Sequence, residues 1–309
     1  MRDLFRFRLG AIILVLRVLV GVAFLVLIER KVLSYLQLRK GPNKLGIIGI
    51  VQSFSDAIKL LRKEFFFPLK SNFLIYLFCP VIRLMISLLR WFIIPYWIGL
   101  YWFNLSFIFL LVCLRLGVYF LIFSGWSSNS NYAFLGGIRA IIQTISYEIR
   151  LIFLLICFLL LVNDFILVKF EEYQKFIWFG WINFPVIFII FVSMLAEMNR
   201  TPFDFSEGER ELVSGFNVEY GRVKFTMFFL SEYSRILFIR ILLTVFVMGI
   251  RINSIIFYFK IIILVFFIIL VRGILPRFRF DKLIYLTWKI YLPLSIFLFL
   301  FIVSLINYL

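Results

Sequence analysis

The sequence predicts an all-α bundle of about eight transmembrane spans, with an amphipathic helix lying in the membrane interface of the first long loop. Three observations predict it. Of 309 residues, 64% are apolar and 16% charged, whereas a soluble domain averages roughly half and a quarter. Stretches of about 17 to 25 apolar residues, enough to cross a bilayer core of ~30 Å, recur along the chain. Within them the apolar residues cover every side, as in Phe153-Leu154-Leu155-Ile156-Cys157-Phe158-Leu159-Leu160-Leu161-Val162. A barrel strand would alternate lipid-facing with lumen-facing residues.

The first span covers 9–28, behind Arg2, Arg6 and Arg8, and stops at Glu29-Arg30-Lys31. Lacking a small-residue cleavage signature, it reads as a retained span and not as a signal or transit peptide. Loop 29–72 holds Gly41-Pro42-Asn43, Gly46 and Gly49. Phe54, Ala57, Ile58 and Leu61 then recur at helical spacing opposite Ser53, Ser55, Asp56, Lys59, Arg62 and Lys63. This two-faced pattern predicts the interfacial helix. Spans 73–90 and 98–123 are joined by little more than an aromatic belt of Trp91, Pro95, Tyr96, Trp97 and Trp102. The remaining spans are 138–162, 176–196, 225–250, 255–271 and 288–308, with longer loops at 124–137, 197–224 and 272–287, all in one membrane domain over 1–309. Lys and Arg concentrate in the loops after the odd-numbered spans. The positive-inside rule puts those loops on the cytoplasmic or matrix side and both termini on the other.

That bias accounts for the net charge of +17 without a nucleic-acid partner. The absence of histidine removes Ser-His-Asp catalysis, imidazole-ligated haem and most zinc sites from this chain. Cys79, Cys113 and Cys157 lie singly in apolar runs, so neither an iron–sulfur cluster nor a disulfide framework is encoded. No P-loop and no dinucleotide-binding glycine fingerprint is present, and no internal repeat of the kind transporters carry.

Polar residues cluster in a few places. Glu197, Arg200, Asp204, Glu207, Glu209, Arg210, Glu211 and Glu219 crowd the loop after span 5. Thr201-Pro202-Phe203-Asp204 reads as a helix start, with Thr201 as cap and Pro202 first in the helix. Asp204, Glu207 and Glu211 would then share one face, where mutual repulsion favours proton uptake. A solvated acidic loop tuned by Arg200 and Arg210 is the alternative. Glu148 and Glu232 lie within spans, where an acid marks function by default. Arg17, Arg83, Arg115, Arg235, Arg240 and Lys260 read first as lipid, packing or partner contacts, with Arg235 one turn from Glu232 and able to pair with it.

The clusters also carry a family resemblance. Glu29-Arg30-Lys31-Val32-Leu33, Gln37-Leu38-Arg39-Lys40-Gly41-Pro42-Asn43, Gln143-Thr144-Ile145-Ser146-Tyr147-Glu148, Ala196-Glu197-Met198-Asn199-Arg200-Thr201-Pro202-Phe203-Asp204, Glu207-Gly208-Glu209, Asn217-Val218-Glu219-Tyr220 and Leu275-Pro276-Arg277-Phe278-Arg279-Phe280-Asp281 together resemble the subunit 1 family of NADH:ubiquinone oxidoreductase, respiratory complex I, in its mitochondrially encoded form. The Phe, Ile and Leu excess of an A/T-rich genome fits that origin. The resemblance implies a multi-pass subunit of the mitochondrial inner membrane, with both termini toward the intermembrane space. Its implied partners are the other membrane-arm and peripheral-arm subunits, ubiquinone, and phospholipid including cardiolipin. FMN and the iron–sulfur clusters would reside in those other subunits. It implies a ubiquinone tunnel framed by Glu29, Arg30, Arg39, Asp56, Phe225 and Phe229. An acidic proton-coupling path would run through Glu148, Glu197, Asp204, Glu207, Glu209, Glu211, Glu219 and Glu232.

Arg115, Arg210, Arg222, Lys224 and Arg235 depart from the family pattern and add positive charge beside that path. A carboxylate held ionised by a guanidinium does not carry a proton near neutral pH. Two other functions fit parts of the sequence: a hydrogenase- or antiporter-linked anchor subunit of the same fold that does not use ubiquinone, and a passive scaffold.

Overall fold

The computed structural model describes residues 2–64, 68–94, 104–205, 215–217, 219–249 and 254–308. Helices dominate, and no strand occurs among the described residues. Six helices are long and apolar enough to cross a membrane: α1 (Arg2–Leu36), α3 (Phe73–Leu89), α4 (Ser106–Ser127), α5 (Asn131–Val162), α10 (Ile255–Ile274) and α11 (Phe280–Tyr308). Between α1 and α3 lies the short α2 (Gln52–Arg62), whose apolar side chains Phe54, Ile58 and Leu61 remain exposed. After α5 come the short α6 (Lys169–Tyr173) and α7 (Phe179–Ile182), then α8 (Phe184–Glu197) and α9 (Arg222–Leu243).

Two helices in the expected spans differ from the apolar six, for different reasons. The stretch expected at 176–196 breaks at Asn183, and Pro185 restarts it in the first turn of α8, where a missing amide costs nothing. The other, α9, contains Lys224, Glu232, Arg235 and Arg240, all buried. Such a helix is stable in the bundle because its charges face other helices and not lipid.

Elsewhere the helices outrun the apolar windows. At 35 residues, α1 is ~52 Å long at 1.5 Å per residue, so Glu29 through Leu36 continue as helix beyond a ~30 Å core. The stretch 124–137 is mostly helical, leaving Ser128–Ser130 as the connection. Ser124 and Ser127 in α4 and Ser128 just after it turn back on the helix: their hydroxyls donate to the carbonyls of Leu121, Ser124 and Gly125. Asn163, in the left-handed conformation at φ 54°, caps α5 and donates its N–H to the Leu159 carbonyl at 2.8 Å, the usual role of such a residue after a helix.

Residues 201–205 form turns and not the expected helix start. Long-range packing wins there. The Pro202 carbonyl accepts from the Phe278 N–H at 3.1 Å, and the Thr201 hydroxyl donates to the Arg272 carbonyl. Phe203 stacks on Phe278 at 5.5 Å and lies against Tyr147. Gln143, fully buried on α5, donates to the carbonyls of Ala196 in the last turn of α8 and of Phe203 in this turn, tying both to α5.

The core centres on α5, which packs against α4, α8 and α11 while α9 packs against α1, α2 and α3. Leu154, Leu155 and Phe158 of α5 are fully buried with Ile190 of α8, and with Phe238 and Ile239 of α9. Where α4 meets α5 the backbones nearly touch. A Cβ on Gly125 would stand 2.9 Å from the Ala133 carbonyl oxygen and 3.4 Å from the Cα of Gly137. Small residues permit this approach between membrane helices. Gly125→Leu is expected to destabilise the protein by ~1–3 kcal/mol through overpacking. Gly21→Ala, whose new methyl meets Leu237 at an ordinary 3.6 Å, should leave it unchanged, as thermal unfolding in detergent will show.

Candidate functional site

Three groups of polar residues are built into this bundle. The first forms where α1, α9, α10 and the turn after α8 converge. Glu29 is buried; its Oε2 accepts from the Tyr233 hydroxyl at 2.7 Å and its Oε1 pairs with the Arg272 guanidinium. Arg200 lies over the Tyr233 ring at 4.6 Å, and the buried Arg240 lines the same small cavity. An aromatic ladder leads to it along one face of α9: Phe225 stacks on Phe229 at 6.3 Å, and Phe229 meets Tyr233 at 4.4 Å.

Arg30, next to Glu29, turns outward and pairs with Asp56 of α2. Gln52 donates to the other Asp56 oxygen at 2.9 Å, and Phe54 meets Phe24 edge-on at 6.2 Å. These contacts lash α2 to α1 beside the aromatic ladder. Arg39 stays outside the group: it is exposed, and its guanidinium donates to Gln37.

The second group is interior. Arg83 of α3 pairs with Glu232 at 3.2 Å, with its guanidinium 5.1 Å from the Phe228 ring centre. Arg235 lies 3.6 Å from Glu197 of α8. The pairing of Arg235 with Glu232 expected from their one-turn spacing is therefore replaced by two interhelical pairs, because α9 sits between α3 and α8 and its successive faces meet different partners. Arg83, Arg235 and Arg240 likewise face the bundle and not lipid. Lys260 donates to the Met248 carbonyl and covers Trp178 at 3.9 Å.

Glu148 faces Glu197 across a cavity of ≈ 180 Å³, also lined by Arg115, Leu111, Leu114 and Leu151. Both carboxylate oxygens of Glu197 and Oε1 of Glu148 are buried without a hydrogen-bond partner among the described residues. Arg90 lies in the same interior, its guanidinium held by the Cys113 carbonyl at 2.7 and 3.2 Å. Arg150, fully buried, is held between the rings of Tyr147 (4.1 Å) and Tyr291 (5.0 Å). Sequence reasoning passed over Arg90 and Arg150. Each is a cation within or at the end of an apolar window, and that was the available signal.

The third group holds the chain leading into α9. The Tyr76 hydroxyl donates to the Glu219 carbonyl at 2.6 Å, and its ring stacks on Tyr220 at 4.4 Å with the Lys224 ammonium 3.8 Å from its centre. Tyr220 donates to the Ser124 carbonyl at 3.0 Å, and burial pushes its phenol above the usual tyrosine range. Arg222 donates to the Leu61 carbonyl at 3.0 Å at the C-terminal end of α2, the end that attracts a cation. Asp204 lies 3.8 Å from Arg277. Glu207, Glu209, Arg210 and Glu211 lie outside the described residues, and so does the expected face shared by Asp204, Glu207 and Glu211. The three cysteines are free and buried on three different helices, a donor set that does not fit an iron–sulfur cluster.

The chain matches the NADH dehydrogenase family over residues 9–303. It is 55% identical to NADH-ubiquinone oxidoreductase chain 1 of Aedes aegypti over 295 residues, covering 95% of this chain and 94% of that one. The protein of the same name from Locusta migratoria is 52% identical over 303 residues, 98% and 96% of the two chains. That from Monodelphis domestica is 42% identical over 305 residues, 96% of each. With similarity of this depth across nearly its whole length, the chain belongs to the NADH-ubiquinone oxidoreductase chain 1 family.

Proposed function

We propose that this chain, a multi-pass subunit of NADH:ubiquinone oxidoreductase in the mitochondrial inner membrane, walls the ubiquinone tunnel and links quinone reduction to proton translocation. The observation that carries the reading is the Glu148–Glu197 pair. Two acids line one cavity inside an apolar bundle; Glu148 Oε1 and both Glu197 oxygens accept no hydrogen bond from the described residues, and Glu197 has only the Arg235 guanidinium at 3.6 Å. Acids in such a place mark proton or ion pathways. The cavity is large enough to admit water. Arg90, Arg115 and Arg235 set the charge against which the pair exchanges protons.

The Phe225–Phe229–Tyr233 ladder supports the tunnel assignment. It gives an isoprenoid tail an apolar wall that ends at the polar Glu29–Tyr233–Arg272 group, the combination a quinone site requires. Arg30 and Asp56 hold α2 against α1 at the outer end of that wall, and Arg39 lies outside it. The chain's own residues bind and orient the quinone and move protons. NADH oxidation, with its flavin and iron–sulfur centres, takes place in partner subunits. Peripheral-arm subunits dock on the side carrying α2 and the turn after α8, which faces the matrix, and phospholipid, including cardiolipin, surrounds the spans.

Glu148→Gln in the assembled complex is expected to lower quinone-linked turnover by at least about tenfold and to reduce proton pumping, while NADH oxidation by an artificial acceptor stays unchanged. An unaltered quinone-linked rate and H+/e− ratio would remove the coupling role. Arg83→Leu leaves Glu232 buried and unpaired and should cost ~3–5 kcal/mol, read as loss of assembled complex on native gels. By contrast Arg30→Gln breaks a half-exposed pair worth ~0.2–1 kcal/mol. That variant should assemble normally and raise the apparent KM for a short-chain ubiquinone by up to about fivefold, whereas a passive scaffold predicts a change in assembly alone. Rotenone-type inhibitors should block the parent complex, and an anchor subunit that does not use ubiquinone would ignore them.

A further inference from the structure

Arg115 of α4 is a cation deep in the membrane that this chain leaves uncovered. Counted from the ends of α4 (Ser106–Ser127), it stands ~14 Å from one and ~18 Å from the other at 1.5 Å per residue. The apolar window 98–123 leaves ~12 Å on its nearer, C-terminal side, and the side chain leans the other way, toward the N-terminus of α4. By either bound it does not reach a headgroup. It is nonetheless exposed, on one helical stripe with Ile108, Val112 and Tyr119 at i, i+4 and i+11 to its i+7, and these three are exposed as well. No described carboxylate lies within ion-pair distance of it. A charge at that depth faces protein or a polar cavity and not hydrocarbon.

Two further observations say what covers it. The cavity that holds Glu148 and Glu197 is also lined by Arg115 and Val112, and because both are exposed the chain by itself does not seal those acids from the bilayer. Three guanidiniums, of Arg90, Arg115 and Arg235, stand around that cavity against the two carboxylates, so among the described residues one positive charge is in excess there. The occupant must therefore be apolar enough to cover the stripe and must bring an anion to mid-membrane. An acyl chain brings none, and a lipid phosphate lies too far along the helix. A second copy of this chain has no exposed acid at that depth among the described residues: Glu148, Glu197 and Glu232 are buried, and the other acids lie outside the spans. A helix of another subunit with one carboxylate in its span meets both conditions.

We infer that the α4 stripe around Arg115 is the seat of a transmembrane helix from a neighbouring subunit, and that this helix carries an aspartate or glutamate that pairs with Arg115 and closes the cavity. The pair fixes the depth and rotation of the incoming helix, because a single charge in an apolar contact can be met at one register only. The inference uses the chain's place in a multi-subunit membrane complex and not the coupling role of Glu148, so either can fail without the other.

The test is a density map of the unmodified complex in lipid nanodiscs. It should show a carboxylate from another subunit's transmembrane helix within ~4 Å of the Arg115 guanidinium. Lipid against Arg115, a partner helix with no acid at that depth, or Glu148 turned onto Arg115 as its sole partner would each overturn the proposal. Variants test the pair itself. Arg115→Glu should lower the yield of assembled complex on native gels at least about tenfold, and Arg115→Lys should retain most of it. Changing the partner's acid to arginine in the Arg115→Glu background should restore assembly, which a fault confined to this chain's own folding would not allow. Normal assembly of Arg115→Glu, or no rescue by the reversed pair, would contradict the inference.

Discussion

A charge buried in an apolar membrane bundle must be met by an opposite charge, a backbone carbonyl or an aromatic face, and most of this structure follows from that constraint. An unpaired ion at the bilayer centre costs roughly 2.5–3.5 kcal/mol or more, and α9 alone buries Lys224, Glu232, Arg235 and Arg240. Each tie fixes a neighbour: Glu232 to Arg83 on α3, Arg235 to Glu197 on α8, and Tyr233 to Glu29 on α1. The polar side chains therefore specify which helices surround α9 and in what register, whereas apolar packing alone would tolerate several arrangements. Although the sequence reads 225–250 as a span, α9 is not among the six helices apolar enough to cross a membrane by composition alone, because it carries these charges.

The same constraint links the chemistry to the fold. Glu29, Glu232 and Glu197 are tied to other helices through Tyr233, Arg83 and Arg235, and Glu148 shares a cavity with Glu197, so under the proposed function a change of charge at the Tyr233 end alters the field at the carboxylates deeper in the bundle. The departures from the family pattern then acquire roles. Arg235 compensates Glu197, Arg222 caps α2, Lys224 covers Tyr76, and Arg115 lines the cavity that Glu148 and Glu197 share. The interior around those two carboxylates carries three guanidiniums, Arg90, Arg115 and Arg235.

The fold class was legible in the sequence because apolar runs longer than a strand and apolar on every side admit only helices in lipid. The amphipathic α2 was legible from the spacing of Phe54, Ala57, Ile58 and Leu61. Partner choice was not. Spacing makes Arg235 a neighbour of Glu232, while the direction each takes depends on which helix packs on which face of α9. The turn at 201–205 was misread for a related reason: Thr201 and Pro202 have the local chemistry of a helix start, and Phe278 and Gln143, distant in sequence, draw them into another conformation. Ser124, Ser127 and Ser128 looked like a loop because their polarity is visible in sequence and their hydrogen bonds back to the helix are not. The motifs offered candidate residues, but how the described ones group in space was not legible. Neither the separation of Glu29 from Arg30 nor the isolation of Arg39 can be read from adjacency.

The most direct test of the coupling is infrared difference spectroscopy of the intact complex, comparing oxidised and reduced quinone. Protonation of a buried carboxylate creates a carboxylic C=O band in a region clear of protein amide absorption, and that band shifts in D2O. The account predicts such a band on quinone reduction, present in the native complex and lost in both the Glu148→Gln and Glu197→Gln variants. A band that survives in both variants, or none in the native complex while it pumps, would contradict it.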